Sequence, residues 1–291
     1  MLVRTKDPSI ISWMGSKTTM RNIILSNIPE HTYYIEPFIG SGCIFFAKPL
    51  VKMNVINDKD RLLIDWYTCL KEPKLRKRFH KKIECTLFSQ AQHLDAYNLI
   101  KKARSGEEVD IVDRGWAIWV SVTQSLFSLP NRVWALSNDT TRRGKALNWN
   151  KRKQLLFDQN IIKKLEESHL SCRCGIDLLD TLDGSSSMFA FVDPPYVDDK
   201  SSISQGYNEK FTMEDLRRLL DVLVKFKGNF MLTHYPQDLI MEYKERHGWH
   251  MREHDIHSSH GNLNYNKDGK KAAKRKKECI FTNYKERNVL L

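Results

Sequence analysis

The chain has 291 residues, of which 41% are apolar and 28% charged, enough to bury a sizeable core in one large domain carrying a substantial insertion. Its formal net charge of +12 favours polyanionic partners, because positive surface displaces condensed counterions from nucleic acid, although an RNA binder or a membrane-surface protein would carry the same charge. No apolar run approaches the ~20 residues of a membrane span and "MLVRTKDPSI" lacks the apolar centre of a secretory signal, so a cytoplasmic, globular protein is expected.

Six cysteines lie scattered in apolar contexts such as "GSGCIFF" and "WYTCLK", which reads as small buried side chains in a reducing compartment more than as a disulfide framework. No internal repeat interrupts the pattern. In the first segment, "TTMRNIILSNIP" places Met20, Ile23, Ile24 and Ile28 on one helical face before Pro29 ends it. A short strand "YYIE" then runs into the glycine turn "PFIGSG", followed by a strand "MNVIN" and a helix "RLLIDWYTCLK".

From about residue 71 to 166 the character changes to helical. "SQAQHLDAYNLIKKAR", "DRGWAIWVSVTQSLF" and "KRKQLLFDQNIIKKLEES" read as three helices, with a turn-rich, basic stretch between the last two. Alternation then returns with the strands "SCRCGI", "MFAFV", "NFMLT" and "ECIFTN", and with a helix opened by Thr212 and Asp215 at capping-box spacing. The expected organisation is therefore α/β, with a discontinuous sheet domain (residues 1–70 and 167–291) interrupted by a helical recognition domain (71–166).

Ligands of such sheets collect beyond the carboxyl ends of strands, which singles out two turns. In "IEPFIGSG", Gly40 and Gly42 permit a sharp bend and close ligand approach, and Asp58 follows the next strand at a distance suited to a ribose. Phe45 occupies the third position of G-x-G-x-x-G, so a nucleoside-like ligand fits better than a pyrophosphate; an ordinary glycine turn beside a capping aspartate would share the pattern. In "FVDPPYVDD", the prolines after Asp193 fix φ and leave carbonyls free to accept, while Tyr196 offers a flat face. Together these form an acceptor clamp for a planar group bearing an exocyclic amine.

"WMGSK", "EPFIGSG", "INDKD", "DPPY" and "ECIFTNY", in this order and spacing, make the chain resemble the D12 class of DNA adenine-N6 methyltransferases, which includes the Dam enzymes. The resemblance covers nearly everything outside the helical block. It implies a Rossmann-like methyltransferase sheet domain with a helical target-recognition insertion, and S-adenosyl-L-methionine as cofactor. It also implies that Trp13 and Lys17 hold the methionine end, that Glu36, Phe38, Gly40 and Gly42 line the cofactor turn, that Asp58 takes the ribose, and that Asp177 accepts from the cofactor's adenine amine. The family usually has phenylalanine after that aspartate, where this chain has Leu178.

Adenine N6 is a poor nucleophile while its lone pair is delocalised into the ring. Hydrogen bonds from N6 to the Asp193 carboxylate and the Pro194 carbonyl would favour pyramidalisation, with Pro195 stiffening the turn and Tyr196 stacking on a base that has left the duplex. The implied function is site-specific transfer of a methyl group to N6 of a flipped adenine in double-stranded DNA. An RNA adenine methyltransferase, or a DNA-binding relative without catalysis, would share parts of this pattern.

Arg132, Arg142, Arg143 and Lys145 stand in or beside turns of the helical block, where they can reach guanine edges or phosphates. The stretch "SVTQSLFSLPNRVW" departs from the family's N-R-x-x-F-N-G, so no target sequence carries over. A zinc site among the histidines at 247, 250, 254, 257 and 260 with Cys172 and Cys174 is not expected, since metal-ligand spacing is lacking. A second basic run, "KDGKKAAKRKK", containing Lys270, Lys271, Lys274 and Arg275, reads as a hairpin arm over phosphates ahead of the last strand. Replacing Lys270, Lys271, Lys274, Arg275, Lys276 and Lys277 with neutral residues is expected to weaken binding to all DNA sequences and to flatten the salt dependence; an unchanged salt slope in fluorescence anisotropy would exclude the arm from the interface.

Overall fold

A computed structural model of the chain describes residues 10–13, 15–125, 128, 130, 133–135, 145–182, 185–197, 211–257, 264–265, 271–272 and 275–285. In chain order, helix α1 (Arg21–Asn27) leads to strand β1 (Tyr33–Glu36), the short helix α2 (Cys43–Ala47), β2 (Met53–Asn57) and α3 (Arg61–Lys71). There follow α4 (Pro73–Glu84), α5 (Gln90–Arg104), α6 (Ile111–Gln124) and, after a 3₁₀ turn at Lys145–Asn148, α7 (Trp149–Leu156). Helix α8 (Gln159–Glu166), β3 (His169–Ser171), α9 (Gly175–Asp180), β4 (Met188–Val192), α10 (Met213–Lys225), β5 (Asn229–His234) and α11 (Asp238–His247) come next. Four strands close the chain: β6 (His250–His257), β7 (Asn264–Tyr265), β8 (Lys271–Ala272) and β9 (Arg275–Thr282).

These elements fall into two compact units, one of Met1–Arg21 with Phe38–Gly175, the other of Asn22–Pro37 with Ile176–Leu291. In the first, β2 and β3 pair in parallel, Val55 opposite His169, and the chain between them is helical among the described residues, save one isolated bridge from Ser125 to Trp134. In the second, β1, β4 and β5 run parallel and β9 and β6 continue antiparallel, in the order β1-β4-β5-β9-β6. Strand β4 is buried on both faces, as parallel strands covered by helices must be. The plan is mixed α/β, as the resemblance implies.

Caps explain the helix starts. Asp60, Ser89, Asp110 and Asp158 accept from backbone N–H groups at the starts of α3, α5, α6 and α8, and Thr212 with Asp215 forms the expected capping box of α10. Asp158 also accounts for one difference from the sequence reading. The single helix expected over "KRKQLLFDQNIIKKLEES" is two, because Asp158 accepts from Asn160 and Ile161 and restarts the helix. The strand expected at "SCRCGI" shares only Ser171 with β3, which ends there as the Asn57 side chain bonds both the N–H and the carbonyl of Arg173 and takes the place of the next ladder rung; Gly175 already opens α9. Helix α4 escaped the sequence reading because only Phe79 and Ile83, one turn apart, are buried among its charges.

The final strand begins within the basic run, at Arg275, and Lys277 lies in β9 bonded to Glu253 of β6. All six cysteines are free thiols, with Cys43, Cys69 and Cys279 buried but Cys85 and Cys172 exposed, so burial holds for only part of the set. No described helix is long and apolar enough to cross a membrane.

Helices α3 and α6 meet around a carboxylate. Asp65, 1% exposed, accepts from Arg61 Nε at 2.8 Å and Arg114 Nε at 2.6 Å, and Gly115 lets the backbone of Trp66 approach where a Cβ would stand 3.1 Å from its Cα. Removing one member of a buried pair leaves the other uncompensated, at a cost of roughly 3 kcal/mol. Arg61 is mostly solvent-exposed and Arg114 about a quarter exposed, which tempers the loss. Asp65→Ala is therefore expected to lower the unfolding free energy by about 2 kcal/mol, measured as a fall in urea midpoint at unchanged slope.

Candidate active site

In the first unit, the turn after Phe38 is held from several directions. Ile39 N–H donates to Asn57 O at 2.8 Å, Gly42 N–H to Ile39 O at 2.8 Å, and Tyr67 Oη to Gly40 O at 2.8 Å. Gly40 N–H donates to Asp58 Oδ2 at 3.1 Å, while Asp60 N–H donates to Asp58 Oδ1 at 3.0 Å. Asp58 thereby ties the loop after β2 to the glycine turn.

Both glycines have left-handed backbones, with φ of 47° at Gly40 and 66° at Gly42. The space beside them is protein: a Cβ on Gly40 would stand 2.9 Å from Trp13 Cδ1, and one on Gly42 2.6 Å from the Phe46 ring. Backbone conformation and the seating of Trp13 and Phe46 thus require glycine at both positions. The segment carrying Trp13 and Lys17 is stitched to the turn, since Ser41 Oγ donates to Ser16 Oγ at 3.0 Å and Thr18 Oγ1 lies 3.9 Å from Cys43 Sγ. Lys17 is 6% exposed and its ammonium donates to Gly15 O at 2.7 Å, so it is no solvated lysine. An indole and a carboxylate therefore meet at one turn, and the segment stitched to it carries a buried ammonium. That donor set suits a zwitterionic amino acid joined to a ribose.

In the second unit, β4 ends at Val192 and delivers Asp193 beside the end of β5. Register is the cause: Val192 pairs with Leu232, so Thr233 follows as Asp193's neighbour. Thr233 Oγ1 donates to Asp193 Oδ1 at 2.6 Å, and Tyr196 Oη lies 3.2 Å from the same oxygen. Tyr196 also donates to Glu278 Oε1 of β9. Burial raises the Tyr196 phenol well above its ordinary 10.0, and the Asp193 and Glu278 charges push it further. Its ring packs on His234 at 4.6 Å and edge-on against Tyr235 at 4.8 Å. Val197 N–H donates to His234 Nε2 at 3.3 Å, which assigns the ring proton to Nδ1, within reach of Tyr235 O at 3.1 Å. Pro194 is buried and Pro195 partly so.

Glu36 is buried and accepts from Tyr34 Oη at 2.7 Å. Phe38 is partly exposed. Asp177 lies in the first turn of α9 and pairs with Arg218, both about half exposed. Thr233, Glu278, His234 and Tyr67 were not singled out from sequence: Thr233 and Tyr67 stood in the expected strand "NFMLT" and helix "RLLIDWYTCLK", and Glu278 in the family motif "ECIFTNY". Arg132, Arg142, Arg143, Lys270 and Lys274 lie outside the described residues, and for Lys145, Lys271 and Arg275 the backbone alone is placed, in the 3₁₀ turn, β8 and β9 respectively. Among the described residues no group of three or more His, Cys, Asp and Glu is arranged to hold a metal ion.

Comparison with known proteins gives two findings. The family described as D12 class N6 adenine-specific DNA methyltransferase matches residues 13–258. The type II methyltransferase M1.LlaDCHI of Lactococcus lactis subsp. cremoris is 26% identical over 289 residues, covering 94% of this chain and 94% of its own.

Asp58 carries a pH signature. The residue keeps some solvent exposure, but its carboxyl group is enveloped, and burial pushes its pKa from 3.8 up to about 7; the Asp60 charge adds to the rise, and N–H groups of Asp60, Gly40 and Lys59 oppose it. A folded-state pKa above the unfolded one means that the contribution to stability is complete below about 4 and is lost as pH rises through about 7. Asp58→Asn is expected to flatten the fall in urea midpoint between about pH 4 and 7, and parallel pH dependences in the two proteins would refute this origin.

Proposed function

Because the chain belongs to the D12 class of N6 adenine-specific DNA methyltransferases, it methylates adenine N6 in DNA, and we propose that S-adenosylmethionine is its donor and that Asp193 and Pro194 hold the adenine amine. When bound, the donor supplies an electrophilic methyl group on a sulfonium. Lys17, already sequestered from water, pairs with the donor's carboxylate, and Trp13, Phe38 and the bend at Gly40 and Gly42 shape the turn that receives it. Asp58 accepts the ribose hydroxyls; two such donors favour its ionised form and so offset the burial that raises its pKa. Buried Glu36 is assigned to donor binding with them, and Asp177, bonded through Oδ1 to Arg218, offers its other oxygen to the donor's adenine amine.

The observation that carries the clamp is the bracing of Asp193. Thr233 Oγ1 donates to Oδ1 at the mouth of a strand, and Tyr196 Oη stands 3.2 Å from the same oxygen, so the carboxylate is held in place. Fixed acceptors stabilise positive charge developing on N6 without having to reorganise, and alignment supplies much of the remaining rate. The Pro194 carbonyl is the second acceptor, and Pro195 keeps its direction constant. Tyr196 stacks on an adenine drawn out of the duplex.

Double-stranded DNA is the polymer. Residues 71–166 are assigned to target recognition, with Arg132, Arg142, Arg143 and Lys145 at base edges or phosphates. Lys270, Lys271, Lys274 and Arg275 add sequence-independent phosphate contacts. The type II methyltransferase among its relatives supports a place beside a restriction enzyme. Asp193→Ala is expected to abolish transfer of tritiated methyl to duplex DNA, with S-adenosylmethionine binding retained in calorimetry; full transfer by this variant would refute the clamp.

A further inference from the structure

We propose that Asp193, Tyr196 and Glu278 form an array that takes up the proton released when adenine N6 is methylated, an inference resting on the assignment of Asp193 to the amine. Tyr196 Oη donates to Glu278 Oε1 and lies 3.2 Å from Asp193 Oδ1. A phenol has one proton, so it can satisfy one of two flanking carboxylates at a time and turns a lone pair to the other. The chain of three groups is thus short of one proton, and adding it completes an unbroken run of donors and acceptors.

Methylation supplies that proton. With the N6–C bond formed and the S–C bond broken, leaving the donor as a thioether, N6 carries a positive charge and gives one proton to the Asp193 carboxylate. Asp193 then donates to Tyr196 Oη as the phenol proton moves to Glu278, so Asp193 is an anion again and the proton sits at the far end. Glu278 is 6% exposed, and the enclosed phenol resists standing as a phenolate, so Tyr196 serves as a carrier.

The surrounding groups suit this path. From β5, Thr233 Oγ1 donates to Asp193 and His234 keeps its proton on Nδ1, toward Tyr235. From β6, His254 stands opposite Glu278 in the β6–β9 register; burial lowers its pKa, the Arg252 charge lowers it further and the Glu278 charge raises it. Among the described residues, His254 Nε2 is buried without a hydrogen-bond partner, on the strand beside Glu278. Lys277, the next residue along β9, is bonded to Glu253. Glu278 touches no substrate in this scheme and acts through Tyr196.

The test uses the full chain in single-turnover methylation of duplex DNA from pH 6 to 9, comparing wild type with Glu278→Gln, Tyr196→Phe and Asp193→Ala. Glu278→Gln keeps the shape and an acceptor oxygen but takes no proton at neutral pH. It is expected to slow transfer at least about tenfold at pH 7, with the rate regained as pH rises and S-adenosylmethionine affinity unchanged in calorimetry. Tyr196→Phe keeps the aromatic face and should show the same recovery, which loss of stacking would not produce. Independently of turnover, ultraviolet titration without DNA or donor should find the phenol that is missing from Tyr196→Phe ionising at lower pH in Glu278→Gln. An inactive Asp193→Ala beside a Glu278→Gln with wild-type rate and pH profile overturns the array alone, whereas an active Asp193→Ala overturns the clamp on which it rests.

Discussion

Parallel pairing of β4 with β5 in one register is the constraint from which the chemistry of the second unit follows. Because Val192 opposes Leu232, the residue after each strand end falls beside its counterpart, and a threonine hydroxyl meets an aspartate. A slip of one residue would turn Thr233 to the other face and leave Asp193 without its shortest donor. The antiparallel partner β9 then brings Glu278 to the far side of the Tyr196 hydroxyl. Three strands that are distant in sequence therefore fix one carboxylate.

Asp58 and Asp193 both follow strand ends, yet their environments differ. Backbone N–H groups of Gly40 and Asp60 hold Asp58, so its place is set by the path of the glycine turn. At Asp193 the partners are side-chain hydroxyls, Thr233 Oγ1 donating at 2.6 Å and Tyr196 Oη at 3.2 Å from the same oxygen. Fixed amide donors suit a carboxylate that grips a ligand, and hydroxyl donors suit one beside a bond-making step.

Much of the fold was legible in the sequence because local signals were strong. "YYIE", "MNVIN", "RLLIDWYTCLK" and "MFAFV" were read with the boundaries the structure gives them, and Thr212 with Asp215 capped a helix as their spacing implied. Readings went astray where a side chain far along the chain decides the backbone: Asn57 ends β3, and no property of "SCRCGI" announces it. Helix α4 was hidden by its charges, since two buried residues one turn apart make a weak periodic signal.

The sequence by itself determined which strands end in chemically capable turns and which family the motifs resemble, since φ-fixing prolines, glycines and carboxylates act within a few residues of one another. Only the tertiary structure decided what those residues touch: that Trp13 fills the space beside Gly40, that Lys17 is buried, and that Tyr196 stands between two carboxylates. The reason is physical. Backbone preference is local, whereas hydrogen-bond partnership and burial depend on the register of strands separated by tens of residues, and one sequence carries no direct record of that register.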